Sequence, residues 1–242
     1  STVPKVTLPD VVNNKAEVKD VIFDHVAAKG KAIVDFTKVE DIDENQPLEI
    51  TVTKSQLSKL KQKDAVLAVK KNDVTLEFPA TVFSGEQDAT IIIEKLADVD
   101  VEGAKSAVYD FTLVEGETVI SDFSETEGVQ LAFNIHDKNV ENSDLLKVFY
   151  LNEETDEWVE IGGEYQDGIV TATTTHFSIF TVMEASEDDE NNDNDDNNNV
   201  LLVYVYETGQ SFVDSNEFSP NIINAIIQLF SLIRSVFCFF GF

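Results

Sequence analysis

His176, Phe177 and Ser178 have the residue types and the order that a backbone self-cleavage reaction needs. A serine hydroxyl can attack the carbonyl carbon of the residue before it, here Phe177, while a neighbouring imidazole takes up the proton. The reaction also requires a strained Phe177–Ser178 peptide and an activated Ser178 oxygen. The same residues read equally as plain strand, with Phe177 and Ile179 facing one way and Ser178 and Phe180 the other. The expectation is therefore that this bond stays uncut.

Two acidic patterns have the spacing of a calcium loop. In DVDVEG, Asp98, Asp100 and Glu102 supply oxygens at the first, third and fifth places and Gly103 stands sixth, but the twelfth place is Tyr109 where a bidentate glutamate belongs. In DIDEN, Asp41, Asp43 and Asn45 repeat the start, with Gln46 in place of the glycine. Both also fit an ordinary solvated turn. His25, His136 and His176 are far apart and form no HExxH or Cys-His pattern, and no GxSxG elbow is present, so no enzyme is expected and calcium is the one candidate cofactor.

The formal net charge is -29. Residues 1–185 hold 36 acids and 16 bases, and residues 186–242 hold ten acids and one base. Such an excess repels phosphate backbones, so nucleic acid is excluded as a partner. One Arg beside sixteen Lys, with abundant Asn, Ile and Phe, fits an AT-rich genome. The single cysteine, Cys238, allows no intrachain disulfide, so packing alone must stabilise the domain. The chain opens on Ser1 without a methionine, as secretion would leave it after a leader is removed.

The elements that would position these residues are strands. Residues 145–182 hold three apolar runs separated by turn signals at Asn152–Asp156 and Asp167-Gly168, which predicts a three-strand meander closing a β-domain. Upstream, Pro4–Val12 and Ala32–Thr37 read as extended. Strands are predicted at Leu48–Thr53, Val66–Val69, Val74–Phe78, Thr90–Ile93, Ala107–Leu113, Thr118–Phe123 and Val129–Ile135. In Lys54–Lys61, Leu57 and Leu60 on a polar background predict a short helix on the rim. The fold class is all-β, an antiparallel β-sandwich over residues 1–185, as one domain or two β-subdomains.

VTLEFPATVF at 74–83, AKSAVYDFTL at 104–113 and the terminal TTTHFSIFTV together resemble the β-rich module of surface proteins from low-GC Gram-positive bacteria, often found beside S-layer homology domains. The resemblance covers roughly residues 30–184 and implies an exported, non-catalytic building block at the cell surface. The chain has no S-layer homology repeat and no LPxTG-type sorting motif. His176–Ser178 itself resembles the HFS or HLT sequences at which some β-sandwich domains of receptors and adhesion proteins cut themselves.

Beyond the domain, residues 186–199 hold seven acids and six asparagines, too polar to pack, and form an acidic linker. VLLVYVYE at 200–207 then reads as one apolar strand, with Val200, Leu202, Tyr204 and Tyr206 on one side. It must pair with an edge of its own sandwich or with a neighbouring subunit. Ser219 and Pro220 are good starting residues for a C-terminal apolar helix over 220–242, about 34 Å long, enough to cross a bilayer. Its polar residues Asn221, Asn224, Gln228, Ser231 and Ser235 recur at spacings of three and four with Arg234 beside the last, forming one seam on an apolar cylinder. That seam fits a partner helix, in lipid or within a protein assembly.

Three functions follow as expectations. The first is a structural subunit of an extracellular surface layer or filament that binds copies of itself through residues 200–242. The second is a cell-surface adhesion or binding module anchored in a membrane through residues 220–242, for which exposed aromatics on the sandwich are the mark. The third is a self-cleaving domain acting at His176–Ser178.

Overall fold

The computed structural model describes residues 8–97, 99–135, 140 and 142–185. The chain begins with a hairpin of β1 (Asp10–Val12) and β2 (Lys15–Glu17), followed by α1 (Asp20–Asp24), β3 (Lys31–Asp35), β4 (Leu48–Val52) and α2 (Lys54–Lys63). Next come β5 (Val66–Lys71), β6 (Val74–Pro79), β7 (Ala89–Lys95), β8 (Tyr109–Glu115), β9 (Thr118–Val119) and β10 (Val129–Asn134). The last strands are β11 (Leu146–Asn152), β12 (Glu157–Gly162), β13 (Glu164–Gln166), β14 (Ile169–Thr174) and β15 (Ile179–Glu184).

These strands form two sheets packed face to face, an all-β sandwich. The larger sheet runs β1-β2-β4-β7-β8-β15-β11-β12, with β9 on β8, and the smaller runs β13-β14-β10-β6-β5-β3. Alternation builds the interior: in β6, β7 and β8 every second side chain is buried, as a half-buried pleated strand requires. One main core extends from Ala16 to Val182. Its centre is aromatic, with Phe111 buried among Tyr109, Phe133, Phe177 and Phe180 at ring separations of 5.9, 6.4, 6.0 and 5.7 Å.

Local sequence explains the turns. Asn13 and Asn14 (φ 51° and 56°) and Asp167 and Gly168 (φ 51° and 84°) each take two successive left-handed conformations, the geometry that matches a tight hairpin to strand twist. Thr53 caps α2 by accepting from the Gln56 amide at 3.3 Å, while the Gln56 side chain accepts from the Thr53 amide at 3.0 Å. The same Gln56 donates to the Val18 carbonyl at 2.7 Å, tying the rim helix to the chain that leads into α1.

Several sequence expectations need correction. The runs after Leu145 do not form one meander: β11–β12 is a hairpin of the larger sheet, and β13–β14 is a hairpin of the smaller one. The chain changes sheets at Gly162-Gly163, where φ is 85° and 146°, values that L side chains rarely adopt. The sandwich is not wholly antiparallel, since β2–β4 and β3–β5 pair in parallel. Each parallel pair needs a crossover, and α2 with β4 provides the one between β3 and β5. The expected strand at Thr118–Phe123 is only the two-residue β9, and α1 was not anticipated. The rim helix runs two residues further than predicted, to Lys63.

Candidate functional site

His176, Phe177 and Ser178 lie where the chain leaves β14 in one sheet and enters β15 in the other. Phe177 fills the space between the sheets, with its ring 5.1 Å from Phe123, 5.9 Å from Phe78 and 6.0 Å from Phe111. The corner is stapled by Thr174, whose hydroxyl donates to the His176 carbonyl at 2.7 Å and accepts from the His176 amide at 3.3 Å. The His176 ring stands edge-on to Tyr150 at 4.4 Å. Burial holds its pKa below the usual imidazole range, although Asp122 pulls the other way. The Ser178 hydroxyl donates to the Leu151 carbonyl at 2.8 Å, so its proton is committed to a strand carbonyl. No described peptide bond is cis, and the positive φ angles occur elsewhere, so the Phe177–Ser178 bond carries neither form of strain.

The contacts at this corner are ring packing and hydrogen bonds to backbone groups. Purified protein should give a single intact mass for the whole chain, and a denaturing gel showing two fragments that meet at Ser178 would contradict that reading.

The first acidic loop packs through its valines. Leu96–Val108 folds over the outer face of the larger sheet, where Val101 and Val108 bury against Met183, with Leu96, Val99, Phe149, Trp158 and Ile179 around them. Asp100 and Glu102 are exposed. Val99 and Val101 thus turn inward while Asp100 and Glu102 stand in water, and Asp98 lies outside the described residues. The cover is fixed by the Lys105 amide donating to the Val182 carbonyl at 2.7 Å and by the Val182 amide donating to the Ser106 hydroxyl at 2.9 Å.

The second loop is held by an asparagine. Asn14 donates from Nδ2 to the carbonyls of Asp43 and Gln46 at 2.7 and 3.1 Å, and its Oδ1 accepts from the Asp43 amide at 2.9 Å. The Asp43 carboxylate accepts from the Asn45 amide at 3.0 Å and from the Asn45 side chain at 3.2 Å, while Asp41 faces water. Among the described residues no three His, Cys, Asp or Glu side chains are grouped to hold a metal ion. His25 sits on the C-cap of α1 with its Nδ1 3.0 Å from the Val21 carbonyl. His136 lies outside the described residues.

Sequence reasoning missed two buried charged groups. Lys71 ends the inward-facing row Leu67, Val69, Lys71 of β5, is fully buried, and has its Nζ 3.5 Å from Glu44 Oε2. Burial lowers the Lys71 pKa, and Glu44 partly restores it. At the same end of the core the Tyr109 hydroxyl is pushed above its usual range by burial and by the charges of Asp73 and Glu44. Counting the β5 alternation through to position 71 would have found the lysine. The second, the carboxylate of Glu115, ties the β6–β7 connection by accepting from the Ser84 and Gly85 amides, both at 2.8 Å, and from the Ser84 hydroxyl at 3.0 Å.

The proposed assembly residues Val200, Leu202, Tyr204, Tyr206, Asn224, Gln228, Ser231 and Arg234 lie outside the described residues, as do the acidic linker and the C-terminal segment. Among the described residues no helix is long and apolar enough to cross a membrane. Tyr165 is the one aromatic side chain among the exposed large hydrophobics, so the described surface has no aromatic cluster of the kind an adhesion face would present.

No family model matches the chain. Over 140 residues it is 31% identical to a protein of Evansella cellulosilytica described as "Putative membrane protein". The match covers 55% of this chain and 21% of that protein, so the chain spans about a fifth of the length of the relative it matches.

Proposed function

We propose that this chain is a structural subunit of an extracellular surface layer or filament, assembling with copies of itself through residues 200–242. The observation that carries the reading is the pairing of β15, which is hydrogen-bonded to β11 on one side and to β8 on the other. The sandwich therefore does not need VLLVYVYE at 200–207 to flank its last strand. The C-terminal segment, with its polar seam at Asn224, Gln228 and Ser231, adds an apolar surface beyond what soluble monomers usually expose.

The resemblance to Gram-positive surface modules and the description of the Evansella protein as a membrane protein both support a cell-envelope location. The absence of an exposed aromatic cluster among the described residues favours a building block over an adhesin. Calcium enters this reading as a counter-ion. With a net charge of -29, copies repel one another, and divalent cations screen that repulsion more strongly than sodium at equal concentration.

Electron microscopy of the purified chain in detergent-free buffer tests the proposal. Ordered sheets or threads are expected, more abundant in millimolar calcium than in chelator. Particles that stay monomeric in water would overturn the proposal. Insertion into liposomes as monomers would instead establish the membrane-anchored module.

A further inference from the structure

The His176 imidazole is built into the corner between the sheets in a way that suits a neutral ring and not a charged one. It stands edge-on to Tyr150 of β11 at 4.4 Å and tilted to Phe180 of β15 at 6.1 Å. The Tyr150 and Phe180 rings are themselves 6.4 Å apart, so the imidazole completes a group of three. Its Nε2 is buried and makes no hydrogen bond among the described residues. The Thr174 hydroxyl takes up both the amide and the carbonyl of His176, which fixes the backbone beneath the ring.

Little around the ring can answer a positive charge. Asp122 pairs with His176 through an isolated antiparallel bridge and is the charged side chain whose field reaches the imidazole. Its carboxylate, however, accepts from the Ser124 amide at 2.8 Å and closes that turn. The other groups packed here are the Tyr150 ring from β11, the Phe180 ring from β15 and the Thr174 hydroxyl from β14, none of which is a carboxylate. Burial outweighs the attraction of Asp122 and keeps the imidazole neutral to lower pH than a solvated one. An imidazolium must carry a proton on both nitrogens, so Nε2 would bury a donor without an acceptor, a cost that the tautomer protonated on Nδ1 avoids.

The same corner carries the contacts that join the sheets. Phe177 is the next residue, with its ring among those of Phe123, Phe78 and Phe111. The Phe123 amide donates to the Thr175 carbonyl at 2.9 Å, and Ser178 is tied to Leu151. We propose that His176 is an acid-sensitive latch: protonation of its imidazole loosens the corner between β14 and β15 and frees Phe177 from between the sheets. The folded chain binds this proton more weakly than the unfolded chain. The stability gained is therefore complete above about pH 6.5, the ordinary imidazole value, and is lost as pH falls below it. The latch does not depend on residues 200–242 or on self-assembly.

Hydrogen exchange of the full chain, read by mass spectrometry and corrected for the intrinsic effect of pH, tests the latch. Between about pH 7.5 and about pH 5.5 the segment 174–180 should exchange about tenfold faster in the parent, while β4 and β5 stay protected. His176→Phe keeps a ring in the group and cannot take the proton, so its corner should exchange alike at both values. Asp122→Asn keeps an acceptor for the Ser124 amide and removes the charge that favours the imidazolium, so its acid response should exceed the parent's. Packing alone predicts no change in either pH response. If His176→Phe melts well below the parent at about pH 7.5, His176→Gln takes its place in the same comparison. Equal acid responses in the parent and the neutral variant overturn the latch, as does a parent corner that stays protected at about pH 5.5.

Discussion

Phe111→Ala lowers the melting temperature by roughly 10 °C, because removing a buried phenylalanine side chain costs about 3–5 kcal/mol and each kcal/mol shifts a domain of this size by about 2–4 °C. Phe111 is 2% exposed. Its ring lies within 6.4 Å of four others that come from β8, β10, β15 and the corner before β15. Those neighbours belong to both sheets, so the cavity opens in the middle of the sandwich where neither sheet can close over it alone. Thermal unfolding followed by circular dichroism measures the effect. Ile33→Thr, at an exposed position on β3, should change stability by less than about 0.5 kcal/mol. A Phe111→Ala chain that melts within 2 °C of the parent would show that the aromatic cluster does not hold the sheets together.

Much of this fold is legible in the residues. The alternation in Val74–Pro79, Ala89–Lys95 and Tyr109–Glu115 identifies strands and their buried faces, because a period of two is enforced by the pleat. Asp167-Gly168 gives its hairpin for the same local reason, since glycine accepts the left-handed conformation the turn needs. Which sheet a strand joins is not local. Gly162-Gly163 redirects the chain from one sheet to the other, yet two glycines between strands look the same whether they make a turn or a crossover.

The parallel pairs were hidden for a similar cause. Lys31–Asp35 and Val66–Lys71 are separated by a strand and a helix, and nothing in either segment names the other as its partner.

The candidate sites were less legible, because residue types alone do not distinguish chemistry from packing. His176-Phe177-Ser178 has the composition of a reactive tripeptide, but Phe177 is the side chain that fills the gap as the chain changes sheets. In DVDVEG the acids drew attention, whereas Val101 buries against Met183 and gives the loop its place. Asn14, which the residue pattern does not single out, holds the DIDEN loop closed through three hydrogen bonds. In each case the decisive contact is long-range, with partners as many as 82 positions apart.

Removing residues 200–242 converts an assembling chain into a monomer that keeps its fold. Among the described residues the last strand ends at Glu184, and the Ala185 amide donates to the Leu145 carbonyl at 2.7 Å, so the cut lies beyond the last described hydrogen bond of the sandwich. The removed segment contains the apolar run 200–207 and the apolar stretch with its Asn224, Gln228 and Ser231 seam. Burying apolar surface yields about 25 cal/mol per Å², so several hundred Å² on each copy outweighs the cost of association. The seam would set register, because each polar side chain left unpaired in apolar surroundings costs roughly 1–3 kcal/mol.

Sedimentation velocity in detergent-free buffer, comparing the full chain with a chain ending at Asn199, tests the account most directly. The account predicts fast-sedimenting assemblies for the full chain and, for the shorter one, a folded monomer with the same melting temperature. A full chain that remains monomeric, or a shortened chain that assembles as well as the full one, would contradict it.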